Sequence, residues 1–501
     1  MKKFALLLSY AIFLVEVHAT TLHIGSGYPY PTFEQAAADA QPGDTLLFHA
    51  GVHFGGQYVE NLQGMPDAWI FIQNAPGEEA ILESGNNAIQ LTDPAYLHIS
   101  GLIFQHQTGN GVNTDDGGSY DTPAHHIILE NCTFRDMSAT GNNDLLKLSG
   151  LDYFEIRNCT FLNGAEGGSG IDMVGCHHGI IERNSFENMG SNSIQAKGGT
   201  EYIRIEANFF LDGGQRTLNL GGSTGLQFFR PDTAHFEAAN LQVYSNIIVG
   251  SWAAIAYVGS VNVEVVNNTI YQPENWVIRI LQETVDPDYF LECGDNTFRN
   301  NIIYLGENLS TETNIGPNTR PETFTFSNNL WYNYDNPNWT GPSIPVTDVN
   351  GIINQNPLFA SPDTYDFHIP PNSPAASAGF AINALQVDFY GQGFANPPSI
   401  GAAEANPVSD ILPPASQMTA FEIFPNPGGS RLTVQYSLAS KSKMRLEIAE
   451  QTGRQVAVLD EGFKPDGIYE QSFDLQLASG WYVVKIWAGQ QLITRKWINI
   501  R

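Results

Sequence analysis

Lysine is almost missing from most of this chain: between Thr20 and Glu404 there are two, Lys147 and Lys197, and neither Lys nor Arg occurs between Thr20 and Arg135. With 52 acidic against 23 basic residues in 501, the formal net charge is -29. An anionic surface of that size repels phosphate backbones and anionic lipid, which argues against nucleic acid and membrane surfaces as partners. It also makes each cation informative, because an anionic substrate would have to be met by the few that exist. Cysteine is as scarce. Cys132, Cys159, Cys176 and Cys293 contain no C-x-x-C pair and no zinc-ligand spacing, which argues against metal or redox chemistry through sulfur. Beyond the N-terminus no apolar run approaches the roughly 20 residues that a membrane span needs.

What is present begins with Lys2 and Lys3, an apolar run from Phe4 to Val15 and the small-residue end Val17-His18-Ala19. These match the parts of a secretory signal peptide, so residues 1–19 are expected to be a signal peptide and the mature chain to start near Thr20. Export suits an acidic, soluble surface.

The strongest pattern lies downstream. A hexamer (apolar, two variable positions, Asn or Cys, one variable position, apolar or aromatic) recurs as LENCTF ending at Phe134, IRNCTF at Phe161, IERNSF at Phe186 and IEANFF at Phe210. It continues as VYSNII, VVNNTI, FRNNII and FSNNLW, ending at Ile248, Ile270, Ile303 and Trp331. Eight copies, mostly spaced by 22 to 33 residues, with alternating apolar positions and Gly/Asn turns, indicate a β-solenoid. The expected fold is all-β: a right-handed parallel β-helix over residues 20–405, with the repeated Asn at a bend, in the left-handed conformation, bonded to its counterpart in the next coil. Cys132 and Cys159 occupy that slot in successive coils, where either stacked thiols or a disulfide fits the spacing. Thr32, with Gln35 three residues on, is read as the N-cap of a short helix closing the open end of the core.

NQNPLF at 354–359, DFHIPPNSPAASAGF at 366–380 and SIGAAE at 399–404 resemble the closing segment of bacterial right-handed β-helix proteins of the pectin-lyase-like superfamily, and GDTLLFHAG near the start extends the resemblance. Residues 406–417 form a Pro-bearing polar linker. Beyond it lie ten Lys/Arg and short alternating strands that read as a small β-sandwich over 418–501. FPNP at 424–427, TGRQV at 452–456, DGIY at 466–469 and ASGWYVVKI at 478–486 resemble the C-terminal sorting domain of the type IX secretion system of Bacteroidota. That resemblance implies handling by the type IX machinery and a secreted or outer-membrane-attached protein; a carbohydrate-binding module is the alternative for the sandwich.

Outward residues of one solenoid sheet stack coil over coil and build a groove suited to an extended polymer. Aligning LKLSG, IDMVG, IQAKG, LNLGG and IAYVG by their inward Leu146, Ile171, Ile194, Leu218 and Ile255 stacks Lys147, Asp172, Gln195 and Asn219 outward, with Lys197 beside them. Arg216, Arg230 and Arg279 follow nearby. A Lys and an Arg beside a polar strip suit β-elimination of a uronate polysaccharide: a cation neutralises the carboxylate so that a base can remove the adjacent proton. Here the chain resembles β-helix polysaccharide lyases, including the alginate and chondroitin families. The resemblance implies Lys197 as base, and Arg216 or Arg230 as the cation, since the family's Arg position holds Leu220 or Gly221. Lys147, Asp172, Gln195, Asn219 and Arg279 are expected to bind substrate, and the glycines after Lys197 to let a sugar approach the backbone.

Calcium is the cofactor this resemblance raises, without an assigned ligand set. Gly190 and Asn192 stand where those families carry a Glu-x-Glu pair, leaving Asp144, Glu166 and Asp172 as acidic candidates. NTDDGG at 113–118 is similar to the acidic motif of polygalacturonase-type hydrolases, and an Asx-rich loop is the simpler reading. The insertion at 221–240, where the Asn-to-Asn distance rises to 38, is read as a groove wall or a structural loop. The expectation is thus a monomeric, secreted protein acting on an acidic polysaccharide, by elimination first, with hydrolysis or non-catalytic glycan binding and adhesion as alternatives.

Overall fold

The computed structural model describes residues 19–405, save 120–121 and 383–386, and 418–499 with short gaps. The expected signal peptide before Ala19, the linker 406–417 and most of TGRQV lie outside the described residues. Two compact units divide at Asn406 and Pro407.

The larger unit is a right-handed parallel β-helix. Its period of roughly two dozen residues gives each coil three short strands, and successive coils stack into three parallel sheets, of 14, 10 and 12 strands among the described residues. Alternation along each strand sends Leu146, Ile171, Ile194, Leu218 and Ile255 inward, all fully buried and in register. The aromatic ends of the hexamers stack in the same way: Phe104, Phe134, Phe161, Phe186 and Phe210 follow one another at 4.6–4.9 Å between ring centroids. The helix Phe33–Asp39 covers the N-terminal end with Phe33, Ala36 and Ala37 buried, and Thr32 caps it by accepting from the Gln35 amide.

The hexamer Asn forms a buried ladder. Asn184, Asn208, Asn246, Asn268, Asn301 and Asn329 each pass a side-chain amide to the next at 2.9–3.1 Å, and each oxygen also accepts the preceding coil's backbone N–H. The left-handed conformation falls one residue earlier than expected, on Arg183, Ala207, Ser245, Asn267, Asn300 and Asn328. The bend needs positive φ before the ladder, and the ladder residue supplies the amide. Cys132 and Cys159 fill the same slot as buried free thiols, and Cys176 and Cys293 are likewise free. Burial raises the Cys176 thiol to about 12 and the Cys293 thiol to about 11, so neither is a nucleophile at neutral pH.

The described residues of 354–404 lie along the outer face of the third sheet rather than across the open end. Phe367 and Ala402 pack on Ile247 and Val249, and Asn267 donates to Ser399 O and Gly401 O at 2.8 and 3.0 Å. Outward apolar residues at 247, 249 and 302 give that face a stripe that must be covered.

The smaller unit contains an antiparallel sheet of Met418–Phe424, Arg431–Leu438 and Gly467–Asp474, and another of Ser442–Ala449, Gln455–Lys464, Gly480–Ala488 and Gln491–Asn499. Their inward residues, among them Leu432, Val434, Leu446, Ile448, Ile486 and Trp497, share one core, which is the expected sandwich.

Candidate functional site

The second sheet carries the polar strip in the expected register. Asn113, Lys147, Asp172, Gln195, Asn219, Ala256, Arg279 and Asn314 occupy one outward row, and Lys197 lies two residues further along its strand, opposite Val174. The floor is deep: Asp172, Gln195 and Asn219 are all buried.

Asp172 is the hub. Its Oδ2 takes a short ion pair from Lys147 Nζ and lies 3.2 Å from Lys197 Nζ, which also donates to Gln195 Oε1 at 3.2 Å. Its Oδ1 is buried without a partner. Lys147 also sits 3.6 Å from Asp144, whose carboxyl is raised to about 6 by burial first and by the nearby Asp172 charge second, with both lysines opposing. For Lys147, burial favours the neutral amine, but the two aspartates outweigh it and raise its pKa.

The other end of the strip is cationic. Arg216 bonds Asn219 Oδ1 at 3.3 Å and Glu283 Oε1 at 2.7 Å. The strand Trp276–Leu281 continues the sheet, so Arg279 falls in the row, with its guanidinium 4.6 Å above the Trp276 ring and its Nε donating to Asn314 at 3.1 Å. Among the described residues no carboxylate forms an ion pair with Arg279; burial and then the neighbouring Arg216 charge lower its pKa, with Glu283 opposing. Trp252, half exposed, meets Trp276 edge to face at 6.0 Å.

Arg230 is elsewhere. Its guanidinium makes two bonds to Asp152, at 2.6 and 2.9 Å, and donates to Gly175 O at 3.0 Å, leaving the side chain 9% exposed. Burial alone would raise the Asp152 carboxyl, but hydrogen bonds from His177 and Arg230 hold it down to about 2. An arginine held in this way locks the insertion onto the solenoid and is not available to a substrate carboxylate.

The space beside the two glycines is also taken by the insertion. Gly198 and Gly199 have φ of 64° and 88°, and a Cβ at Gly199 would lie 2.5 Å from Arg230 O. Glu237 accepts from the Gly198 amide and from Thr224, and its carbonyl accepts from Gly199, which pins the loop here. The glycines therefore admit the chain's own loop, not a sugar. Gly222 runs over the strip, where a Cβ would lie 3.2 Å from Lys197 Cβ, so the insertion walls the groove as well as packing on it. Phe229 is buried against Phe290 while Phe228 is exposed.

Calcium does not fit the donors that converge here. Asp144 and Asp172 face lysine ammoniums, Asn192 donates to Ser169 Oγ at 3.1 Å, and Glu166 is exposed on a turn. A divalent cation would share the floor with two positive charges. Among the described residues no three His, Cys, Asp or Glu side chains gather to hold a metal. Asp115 and Asp116 accept from the amides of Gly117 and Gly118 at 3.0 and 2.9 Å, an Asx-turn geometry rather than a flanking carboxylate pair.

Sequence reasoning missed a second feature, on the first sheet. Tyr96, His126, Tyr153, His178 and Tyr202 sit at left-handed positions of successive coils and stack into one external ladder, with centroids 4.6–5.1 Å apart. His126, Tyr153, His178 and Tyr202 each stand six residues before the hexamer's Asn or Cys slot, and Tyr96 stands six before Leu102, a recurrence that was there to be found.

The fold defines a right-handed parallel β-helix protein with a C-terminal β-sandwich. Residues 87–270 match the family model of the right-handed β-helix region, and residues 422–501 match that of the secretion system C-terminal sorting domain. The sorting domain marks the chain for secretion and attachment at the outer-membrane surface. Similar solved structures include pectate lyase Pel9A, at 15% identity and TM-score 0.46, covering 77% of this chain and 96% of that one. An alginate lyase from Paenibacillus sp. str. FPU-7 is 17% identical with TM-score 0.40, covering 60% and 97%. The A-module of the mannuronan C-5 epimerase AlgE6 of Azotobacter vinelandii is 13% identical with TM-score 0.38, covering 64% and 90%. No curated protein sequence matches the chain.

Proposed function

We propose that this secreted β-helix binds an acidic, uronate-containing polysaccharide along the strip of its second sheet and cleaves it by β-elimination. The observation that carries the reading is the pairing of Arg216 with Arg279 at one end of a strip that also holds both lysines of the domain. In a chain with a formal net charge of -29, cations brought together on one outward row mark where an anion is welcome. Arg279, which no carboxylate pairs among the described residues, is the group that meets the substrate carboxylate, with Arg216 beside it. Lys197 takes the C5 proton as its amine; the electrons form the C4–C5 double bond, the C4–O bond to the leaving sugar breaks, and that oxygen takes a proton from water. Lys147, Asp172, Gln195 and Asn219 form the floor, and Trp252 and Trp276 offer apolar surface for sugar rings.

Incubation with alginate, chondroitin, heparin and pectin tests this, reading the ultraviolet absorbance of the unsaturated uronate product. Absorbance with at least one supports elimination; new reducing ends without it would assign hydrolysis instead. Glycan binding without turnover is the second reading, favoured by the Lys197–Asp172 ion pair, which engages the ammonium in the ground state.

A further inference from the structure

The geometry points to a second glycan site, on the first sheet, where the end of the external aromatic ladder meets a polar cavity and takes an uncharged pyranose of a polysaccharide.

A stack of rings leaves a face uncovered at each end. At the N-terminal end Trp69 covers Tyr96, meeting it edge to face at 5.6 Å. At the other end no ring follows Tyr202. The same left-handed slot, six residues before the ladder Asn, passes to Asn240, Asn262 and Asp295 in the next three coils. One face of Tyr202 lies on His178 at 5.1 Å, and the ring, 51% exposed, lines a cavity of about 450 Å³ together with Asn240, Gln242, Asn262, Glu264 and Asp295. That volume falls within the roughly 300–1,000 Å³ of small-molecule sites.

The lining chemistry is that of sugar recognition. An aromatic face accepts the C–H face of a pyranose, and side-chain amides donate to and accept from its hydroxyls. The side-chain amides of Asn240, Gln242 and Asn262 make no hydrogen bond among the described residues, so they are free to bind a ligand. Charge sets the class. Glu264 and Asp295 line the cavity, while the nearby guanidiniums are matched: Arg320 donates to Asp295 at 2.7 Å, and Arg204, across from Gln242, is paired with Glu206. Asp295 is thus neutralised, while the ion pairs of the described residues leave Glu264 without a cation, its carboxylate accepting only from the Tyr244 hydroxyl; a uronate would meet that charge, and a neutral sugar would not. The second-sheet strip, rich in cations, has the opposite preference. The site does not depend on the polyuronate reading.

The test uses the full chain and calorimetric titration with neutral β-1,4-linked hexasaccharides of glucose, mannose and xylose, and with a hexauronate as the charged counterpart. At least one neutral hexasaccharide is expected to bind. Tyr202→Ala should weaken it by about tenfold or more, Tyr202→Phe should retain it, and Asn240→Ala with Asn262→Ala should weaken it with the fold intact by circular dichroism. Arg216→Ala with Arg279→Ala should leave it unchanged. The proposal is overturned if no neutral hexasaccharide binds, if binding survives Tyr202→Ala, or if the hexauronate displaces the neutral sugar from the doubly arginine-substituted protein.

Discussion

Lys197 Nζ lies 3.2 Å from Asp172 Oδ2, and the same oxygen holds Lys147. One fully buried carboxylate thus orders both lysines of the β-helix domain. Removing its charge leaves two ammoniums facing each other, with Asp144 as the remaining counter-charge. Asp172→Asn is expected to lower stability by about 3–5 kcal/mol, read as a reduced denaturant midpoint. Lys197→Ala leaves Asp172 paired with Lys147 and should cost much less. Equal losses in the two variants would contradict the hub role.

The arginines separate by role. Arg216→Ala and Arg279→Ala should each lower kcat/KM on the substrate polyuronate by about 100-fold, with little change in melting temperature. Arg230→Ala should do the reverse, destabilising the protein by about 3 kcal/mol through an unpaired Asp152. Loss of turnover in Arg230→Ala at full stability would return it to the site.

Stability should respond to acid through Asp152. Its folded value, about 2, lies below the 3.8 of an ordinary aspartate. Its contribution is therefore present above pH 4 and lost as pH falls through 2, and amounts to about 2 kcal/mol. Asp144 has the opposite sign. Raised to about 6, it favours the folded state when protonated, so stability declines as pH rises from about 4 to 6. Asp144→Asn should remove that decline, and a pH–stability curve in which it persists would locate the effect elsewhere.

Chelation gives a further check. Because lysine ammoniums face Asp144 and Asp172, exhaustive treatment with EDTA is expected to leave both the melting temperature and the activity on polyuronate unchanged. Loss of either, restored by calcium, would show a site built differently.

In the ladder, Asn246 donates to Ile205 O and Asn268 Oδ1 and accepts from the Asn208 amides. Asn246→Ala should cost about 2–4 kcal/mol by leaving those groups buried and unpaired. The Cys132 and Cys159 slots show that the position tolerates a thiol, so Asn246→Cys should cost less. Thermal denaturation of the pair decides the order.

The strip was legible because its information is local. Leu146, Ile171, Ile194, Leu218 and Ile255 fix which residues point inward, and the side chains between them must then point out and stack. The aromatic ladder was also encoded at a constant offset from the hexamer, but it mixes Tyr with His and so hides from a search for one residue type. The wall was only partly legible: the length of the insertion signalled a departure from the coil, not the path it takes.

Sequence alone therefore determined the solenoid, its coils and the register of the second sheet, because a period-two alternation repeated at each Asn leaves one way to stack the coils. Tertiary structure decided which cations are free. Arg230 meets Asp152 across 78 residues of chain, and Gly198 and Gly199 admit that loop. Such pairings depend on where a long connection returns to the surface, and no local periodicity carries that information.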